Sequence, residues 1–265
     1  MSGILGDRAV ISISGPEANS FLQGVITNDM DKLSPESPLY AALLTPQGKI
    51  LFDFLLSEQD GAVLLDCAAA SADALLRRLT MYRLRAKVEL SLRGDLVVSW
   101  DPDEFGDPRL PALGRRTIAV RGTENSDDPR DYLQHRLELG VPEAADFGSD
   151  KMFALDAGLE ELHAVSFDKG CYIGQELTAR MKHRGTARKR LLPVVAESGA
   201  ALQPPGTEIR ASNMGLGEIV SVYGARGFGL IRLDRWQEAG QANTRAGEQE
   251  IRIVKPAWLI SGDST

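Results

Sequence analysis

Lys169-Gly170-Cys171-Tyr172-Ile173-Gly174-Gln175-Glu176 places two glycines, a thiol, a phenol, an amide and a carboxylate within eight positions. Few packing requirements would gather so much polar chemistry. Arg180, Lys182, His183, Arg184, Arg188, Lys189 and Arg190 follow. The span from Arg180 to Arg190 holds six Lys/Arg and no acid, in a chain whose formal net charge is −7. A local anion site reads better here than a general polyanion surface, with a solvated charged helix face as the alternative. Cys171 precedes a helix expected to begin near Gly174, and Lys169 is close in sequence. A helix N-terminus and a cation both favour the thiolate, which can ligate iron, exchange disulfides or attack an electrophilic carbon. A lone cysteine is otherwise a small buried hydrophobe, and that reading is preferred for Cys67 in its apolar strand. Gly170 and Gly174 are read as positions for tight turns and close backbone approach.

The chain has 265 residues, 43% hydrophobic and 25% charged. That is enough for two or three packed units around a substantial core. Two cysteines are too few for a disulfide framework, so a reducing cytosol is the expected compartment. No signal peptide or amphipathic transit peptide is evident, and no apolar run approaches a membrane span. The expectation is a soluble cytoplasmic protein with no membrane partner.

Upstream of the motif, Ala9–Ile13 reads as a strand. Ser14-Gly15-Pro16 then starts a helix whose apolar face is Ala18, Phe21, Leu22, Val25 and Ile26. Tyr40–Leu44 and Ile50–Leu56 form a hairpin through the turn Thr45-Pro46-Gln47-Gly48-Lys49. Val63–Cys67 is a further strand, and Ser71 is expected to cap a helix carrying Leu75, Leu76 and Leu79. Strands are expected at Val88–Leu92, Leu96–Trp100 and Thr117–Arg121, a loop at 101–114, and a helix from Pro129 to Leu139 ended by Gly140. Downstream, short glycine-divided strands at Leu191–Ala196, Thr207–Ala211, Glu218–Tyr223, Gly227–Arg232 and Gln249–Val254 suggest a small β-barrel or sandwich. The expected division is an α+β region over 1–190 and a small β domain over 191–265.

The eight-residue motif resembles the K-G-C-Y-x-G-Q-E signature of the YgfZ-type folate-binding proteins. These are relatives of the glycine-cleavage T-protein, an aminomethyltransferase, and are linked to iron–sulfur protein maintenance. Phe21-Leu22-Gln23-Gly24-Val25-Ile26-Thr27-Asn28-Asp29 resembles the superfamily's F-L-Q-x-x-x-T-N-D opening. Leu155-Asp156-Ala157-Gly158-Leu159 resembles its L-E-A-G-L segment, and Met81–Val88 the segment before the next strand in YgfZ-type members. The resemblance implies an α+β cloverleaf of three units around a folate channel, two of them interleaved in sequence and the third a C-terminal β-barrel. It also implies tetrahydrofolate as the cofactor, with Asp156 in the place of the carboxylate that grips the pterin ring. One carboxylate can accept both donors on a pterin edge. Read without the resemblance, Asp156 is a helix or turn cap. Arg180 falls where the T-protein has an arginine on folate, and Lys182 and Arg184 would hold further tail carboxylates. Tyr172 is either a packed aromatic or a ring stacked on ligand. Gln175 and Glu176 either cap backbone donors or bond the cofactor.

The T-protein's G-G-I-x-D-D turn, which carries its catalytic acid, corresponds to Gly48-Lys49-Ile50-Leu51-Phe52-Asp53. Phe52 replaces the first carboxylate, and strand alternation puts Asp53 on the other face. A register slip of one would exchange them. This favours a folate-binding accessory protein that serves iron–sulfur client or assembly proteins, including tRNA-modifying cluster enzymes, through the functional thiol Cys171. A folate-dependent one-carbon (aminomethyl-type) transferase is the alternative, and the expectation leans away from an enzyme. No permanently bound metal is expected, because Cys67, Cys171, His135, His163 and His183 lack ligand spacing. A cluster shared between proteins, with one ligand from Cys171, stays open. The basic stretch has no aromatics for base stacking, so no direct nucleic-acid partner is expected.

Overall fold

A computed structural model describes residues 3–122, 130–185, 188–240 and 242–260. The chain opens with β1 (Gly3–Ile4), β2 (Arg8–Ser14) and α1 (Ala18–Val25), which buries Ala18, Phe21, Leu22 and Val25 on one face. β3 (Leu39–Leu44) and β4 (Ile50–Gln59) form the expected hairpin. Its turn is closed by the Thr45 N–H donating to the Lys49 carbonyl at 2.8 Å. β5 (Ala62–Ala68), α2 (Ala72–Arg83) and β6 (Glu89–Leu92) follow, giving an antiparallel sheet of order β3-β4-β5-β2-β6. Ser71 does not cap α2. It already has helical dihedrals, and its hydroxyl donates back to the Ala68 carbonyl at 3.2 Å.

β7 (Leu96–Asp101) and β8 (Arg115–Val120) pair, and β1 adds to the free edge of β7. This small sheet therefore takes strands from before and after the segment that forms the larger one. α3 (Arg130–Leu139) ends at Gly140, which adopts φ 69°. Pro129, the expected start of that helix, lies outside the described residues. α4 (Ala144–Phe147) was not anticipated. It is short, and a reciprocal capping box between Glu143 and Asp146 starts it.

α5 (Gln175–Arg184) leads to β9 (Lys189–Ala196), β10 (Glu208–Ala211), β11 (Met214–Tyr223) and β12 (Arg226–Arg232). Then come α6 (Leu233–Ala239), β13 (Thr244–Ala246), β14 (Gln249–Ile253) and α7 (Ala257–Ile260). The β-rich unit closes as a six-stranded barrel of order β10-β11-β12-β9-β14-β13. Closure depends on β13, whose three residues are too few to show alternation and which sequence reading missed.

The five-stranded sheet separates two cores. On one face Phe52, Phe54 and Leu65 pack with Phe21 and Leu22 of α1 and Leu75 and Leu79 of α2. On the other, Tyr40, Ala42 and Leu44 join a larger core running through the small sheet into the barrel. Where the units meet, four guanidinium groups are buried. Arg8 donates to Asp66 at 2.5 Å, and Arg116 reaches Asp66 at 2.8 Å and Glu143 at 2.7 Å. Arg109 pairs with Asp107 and Glu143, each at 2.6 Å, and Arg136 with Asp146 at 2.6 Å. The barrel joins through Ser221 and Tyr223 of β11, whose hydroxyls donate to Asp146. Burial alone would push the Glu143 carboxyl up, but Arg116, Arg109, Arg136 and Arg8 hold it well below the usual carboxylate range.

Removing one member of a buried ionic group costs about 3–5 kcal/mol because its partners remain uncompensated. Glu143→Gln should therefore lower the urea-unfolding free energy by about that much, against less than ~1 kcal/mol for Glu250→Gln in the exposed pair with Arg245. Equal losses in the two variants would show that the network does not hold the units together.

Candidate functional site

The motif loop is held by a buried lysine. Lys169 is 7% exposed, and its Nζ donates to the carbonyls of Ile26 at 2.9 Å and Asn28 at 2.5 Å, just beyond α1. Burial pulls its ammonium down to about 8, against the raising effect of Asp29 and Asp31. The segment it grips is knotted further. Thr27 Oγ1 donates to the Ala164 carbonyl at 2.6 Å and accepts from the Ala42 N–H at 2.8 Å. Asn28 Nδ2 donates to the carbonyls of Tyr40 and His163. The Thr27-Asn28-Asp29 and Lys169-Gly170-Cys171 stretches are thus two halves of one hydrogen-bonded joint.

Beyond the lysine, Cys171 is exposed, four residues ahead of α5. Tyr172 folds inward and is 7% exposed, with the Lys169 ammonium 5.3 Å from its ring centroid. Its hydroxyl has no partner among the described residues, and burial pushes it up to about 12. Gly174 caps α5 at φ 84°, and a Cβ there would lie 2.6 Å from the Thr45 carbonyl oxygen. Close approach to the β3–β4 turn therefore requires glycine at this position. Gly170 carries no such demand: its φ is ordinary and a Cβ would meet nothing within 4 Å. Cys67 is buried in β5, and burial pushes its thiol up to about 12.

A cavity of about 690 Å³ lies between the barrel, α5 and the turn following Asp156. Its wall includes Leu155, Glu160, Glu161, His163, Met181, Lys182, Arg190 and Trp258. Glu160 and His163 also line an adjoining space of about 340 Å³ that reaches Asn28 and Tyr40. Glu161 Oε1 accepts from Arg190 at 2.5 Å, whereas its buried Oε2 has no partner among the described residues. Such an orphaned acceptor calls for a donor. Asp156 is not on the wall itself. It is 8% exposed beside Leu155, with its carbonyl accepting from the Leu191 N–H of β9. Burial pushes its carboxyl up to about 6, against Arg190 and Lys189.

Among the other residues singled out from sequence, Lys182 lines the cavity and pairs with Glu160. Arg180 lies off that wall, half-exposed and 2.7 Å from Glu176. Gln175 is half-buried at the first turn of α5, its N–H on the Tyr172 carbonyl. Arg184 closes α5, and its side chain lies outside the described residues. The basic stretch is therefore not free of counter-acids: Glu176, Glu160 and Glu161 come from the preceding turns. Sequence reading missed the wall residues Glu160 and Glu161, although they follow Leu155–Leu159 directly, and Trp258, which arrives from the chain's far end. Phe52 sits in the helix-side core, while Asp53 faces the seam and accepts from the Tyr40 hydroxyl at 3.0 Å. Burial, with Glu143 adding, pushes the Asp53 carboxyl up against Arg8. It is 3% exposed.

Residues 188–260 match the family described as "CAF17, C-terminal beta-barrel domain". The human iron–sulfur cluster assembly factor IBA57, mitochondrial, is 33% identical, over 92% of this chain and 80% of that protein. The mouse protein of the same name is 30% identical, over 96% and 84%. The Neurospora crassa homologue is 34% identical over 76% of this chain, and the match spans 55% of its own length, about half of that longer relative. In three dimensions the chain resembles the glycine cleavage system aminomethyltransferase T from Bartonella henselae. The TM-score is 0.71 at 13% identity, covering 97% of this chain and 85% of that one. The fold is thus the three-unit aminomethyltransferase type, and the likeness to YgfZ-type proteins stands at the level of this superfamily.

Because folding raises the Asp156 pKa, the ionised form is penalised, and its contribution to stability falls as pH rises from about 4 through 6. Two pH units correspond to about 3 kcal/mol. Asp156→Asn should therefore gain on wild type by up to ~3 kcal/mol between about pH 4 and pH 7 in urea titrations. A constant difference would place the carboxyl in water.

Proposed function

This chain belongs to the IBA57 family of iron–sulfur cluster assembly factors, and on that premise we propose that it is a tetrahydrofolate-binding accessory protein for the assembly or repair of iron–sulfur proteins. The observation that carries the reading is Cys171, an exposed thiol on a loop clamped by Lys169. The clamp fixes the backbone from which the sulfur reaches solvent, so a partner meets it in one position. Among the described residues no group of three or more His, Cys, Asp or Glu is placed to hold a metal ion. A cluster touching Cys171 would take its remaining ligands from the donor or client protein, as cargo passed between proteins.

The cavity suits a reduced folate. Glu161 stands on the wall with one carboxylate oxygen unpartnered among the described residues, and a turn of that carboxylate toward the cavity would offer it to the two donors of a pterin edge. Asp156, beneath the wall, supplies a second carboxyl near the same end, and Trp258 with Met181 and Leu155 gives apolar surface for the ring system. Lys182 at the wall is the best-placed cation for the glutamate tail, with Arg180 and Arg184 on the same helix.

The one-carbon transferase reading has less support. At the turn where the superfamily's catalytic acid stands, Phe52 is in the core and Asp53 is sealed against Tyr40. Clients that modify tRNA would make any effect on RNA indirect. The proposed compartment is the cytoplasm, supported by the two unpaired thiols, whereas the relatives named above are mitochondrial proteins. No described helix is long and apolar enough to cross a membrane.

Two outcomes test the proposal. Calorimetric titration with tetrahydrofolate should show binding that Glu161→Gln, on the wall, weakens by about 1.5–3 kcal/mol, the range for hydrogen bonds to a charged group, and that Asp156→Ala, behind the wall, weakens by less. Equal affinities would refute the placement. Separately, Cys171→Ser should fold and bind folate like wild type, yet fail to restore iron–sulfur enzyme activity in cells lacking the native protein. Full restoration at normal expression would remove the thiol from the function, and Cys67→Ser serves as the mild control.

A further inference from the structure

The C-terminal end of α2 carries an exposed feature that neither the cavity nor the thiol accounts for. Between Arg77 and Lys87 there are five cations and no acid, on a chain of net charge −7. Met81 and Leu84 stand out of this cationic field at 66% and 86% exposure. Leu84 adopts φ 49° and ψ −105°, and the Arg83 carbonyl accepts from the Ala86 N–H at 2.8 Å across it. Those angles match the first corner of a type II′ turn, a position dominated by glycine because a Cβ is strained there. The chain therefore holds a large apolar side chain in solvent on a backbone that disfavours it. Strain of this kind persists at sites where the side chain has a task.

Helix-dipole compensation explains only part of the charge. Arg83 is in the last turn of α2, where a cation suits the helix dipole, and its guanidinium donates to the Val88 carbonyl at 3.2 Å. Arg77, Arg85 and Lys87 make no ion pair among the described residues, and nearby Glu17 accepts from the Lys87 backbone N–H rather than its ammonium. A lipid surface is a poor match. The apolar face of α2, Ala72, Leu75 and Leu79, is already buried in the helix-side core, which leaves two apolar tips and no face to insert. We infer that the α2 corner is a docking knob for an acidic protein partner, with Leu84 and Met81 entering an apolar pocket whose rim carries carboxylates that meet Arg77, Arg85 and Lys87. An apolar anchor ringed by charge is how interface hot spots are built, the anchor setting affinity and the charges setting register and on-rate. The inference is independent of the folate and thiol readings.

The test places a photo-crosslinking side chain at position 81 of the full chain in cells, with the exposed barrel position Glu218 as control. The adduct is identified, and that protein is purified for binding measurements. Leu84→Gly and Arg85→Glu should each weaken its binding by roughly tenfold or more. An acid-to-lysine change on the partner's rim should restore Arg85→Glu, and added salt should weaken the wild-type complex. Leu84→Gly should melt no lower than wild type, since glycine suits the turn. The inference is overturned by adducts no different from the Glu218 control, by adducts to lipid or nucleic acid, by capture on phosphatidylserine vesicles instead of protein, or by unchanged affinity of Leu84→Gly. It is equally overturned if Leu84→Gly melts lower, because Leu84 is then a packing residue.

Discussion

Four buried guanidinium groups and the carboxylates that neutralise them fix how the three units of this molecule meet. Arg8 and Asp66 belong to the five-stranded sheet, Arg116 to the small sheet, Arg109 and Asp107 to the connecting loop, and Arg136, Glu143 and Asp146 to the segment entering the centre. The barrel adds the Ser221 and Tyr223 hydroxyls. Hydrophobic packing already resists slips through its close fit, and a buried ion pair adds to that, because a slip that separates the partners leaves charges without compensation. The ionic centre reaches the cavity between α5 and the barrel directly, because Arg109 is also on its wall.

A second, smaller constraint transmits that order to the thiol. Lys169 is buried at a cost that depresses its pKa, and two carbonyls past the end of α1 are what it gains. One belongs to Ile26, the C-cap of α1, and the other to Asn28, three residues past the helix. Thr27 and Asn28 tie the same stretch to β3 and to the Ala164 region. Gly174 lets α5 start against the β3–β4 turn. Cys171 is exposed between two anchored points, so its freedom is that of a short span and not of a loop.

The parts of this arrangement that were legible in sequence are those with local periodicity or turn chemistry: α1, the β3–β4 hairpin, α2 and most barrel strands. The Lys169–Glu176 motif and its helix start were legible because glycine, thiol and amide have few reasons to cluster. The ionic centre was not, since Arg8, Arg109 and Arg136 are single arginines in unrelated segments and Arg116 is the second of an Arg115-Arg116 pair, each indistinguishable in sequence from a surface charge. The counter-acids of the basic stretch were missed for a related reason: Glu160 and Glu161 pair with it across a turn that no short sequence window spans. Trp258 reaches the cavity only because the barrel returns the chain's end beside Gly158, where a Cβ would lie 2.9 Å from the indole. The role of Lys169 was misread as electrostatic support for Cys171, whereas its ammonium points inward to the end of α1.

The central claim is that Cys171 offers a single, positioned ligand to a cluster shared with another protein. The most direct measurement is spectroscopic. An iron–sulfur assembly protein loaded with its cluster is mixed with this protein, and the sulfur-to-iron charge-transfer bands and Mössbauer parameters are followed with wild type and Cys171→Ser. The account predicts a changed iron environment with wild type, the donor spectrum unaltered with Cys171→Ser, and the change intact with Cys67→Ser. Identical spectra for wild type and Cys171→Ser would contradict it.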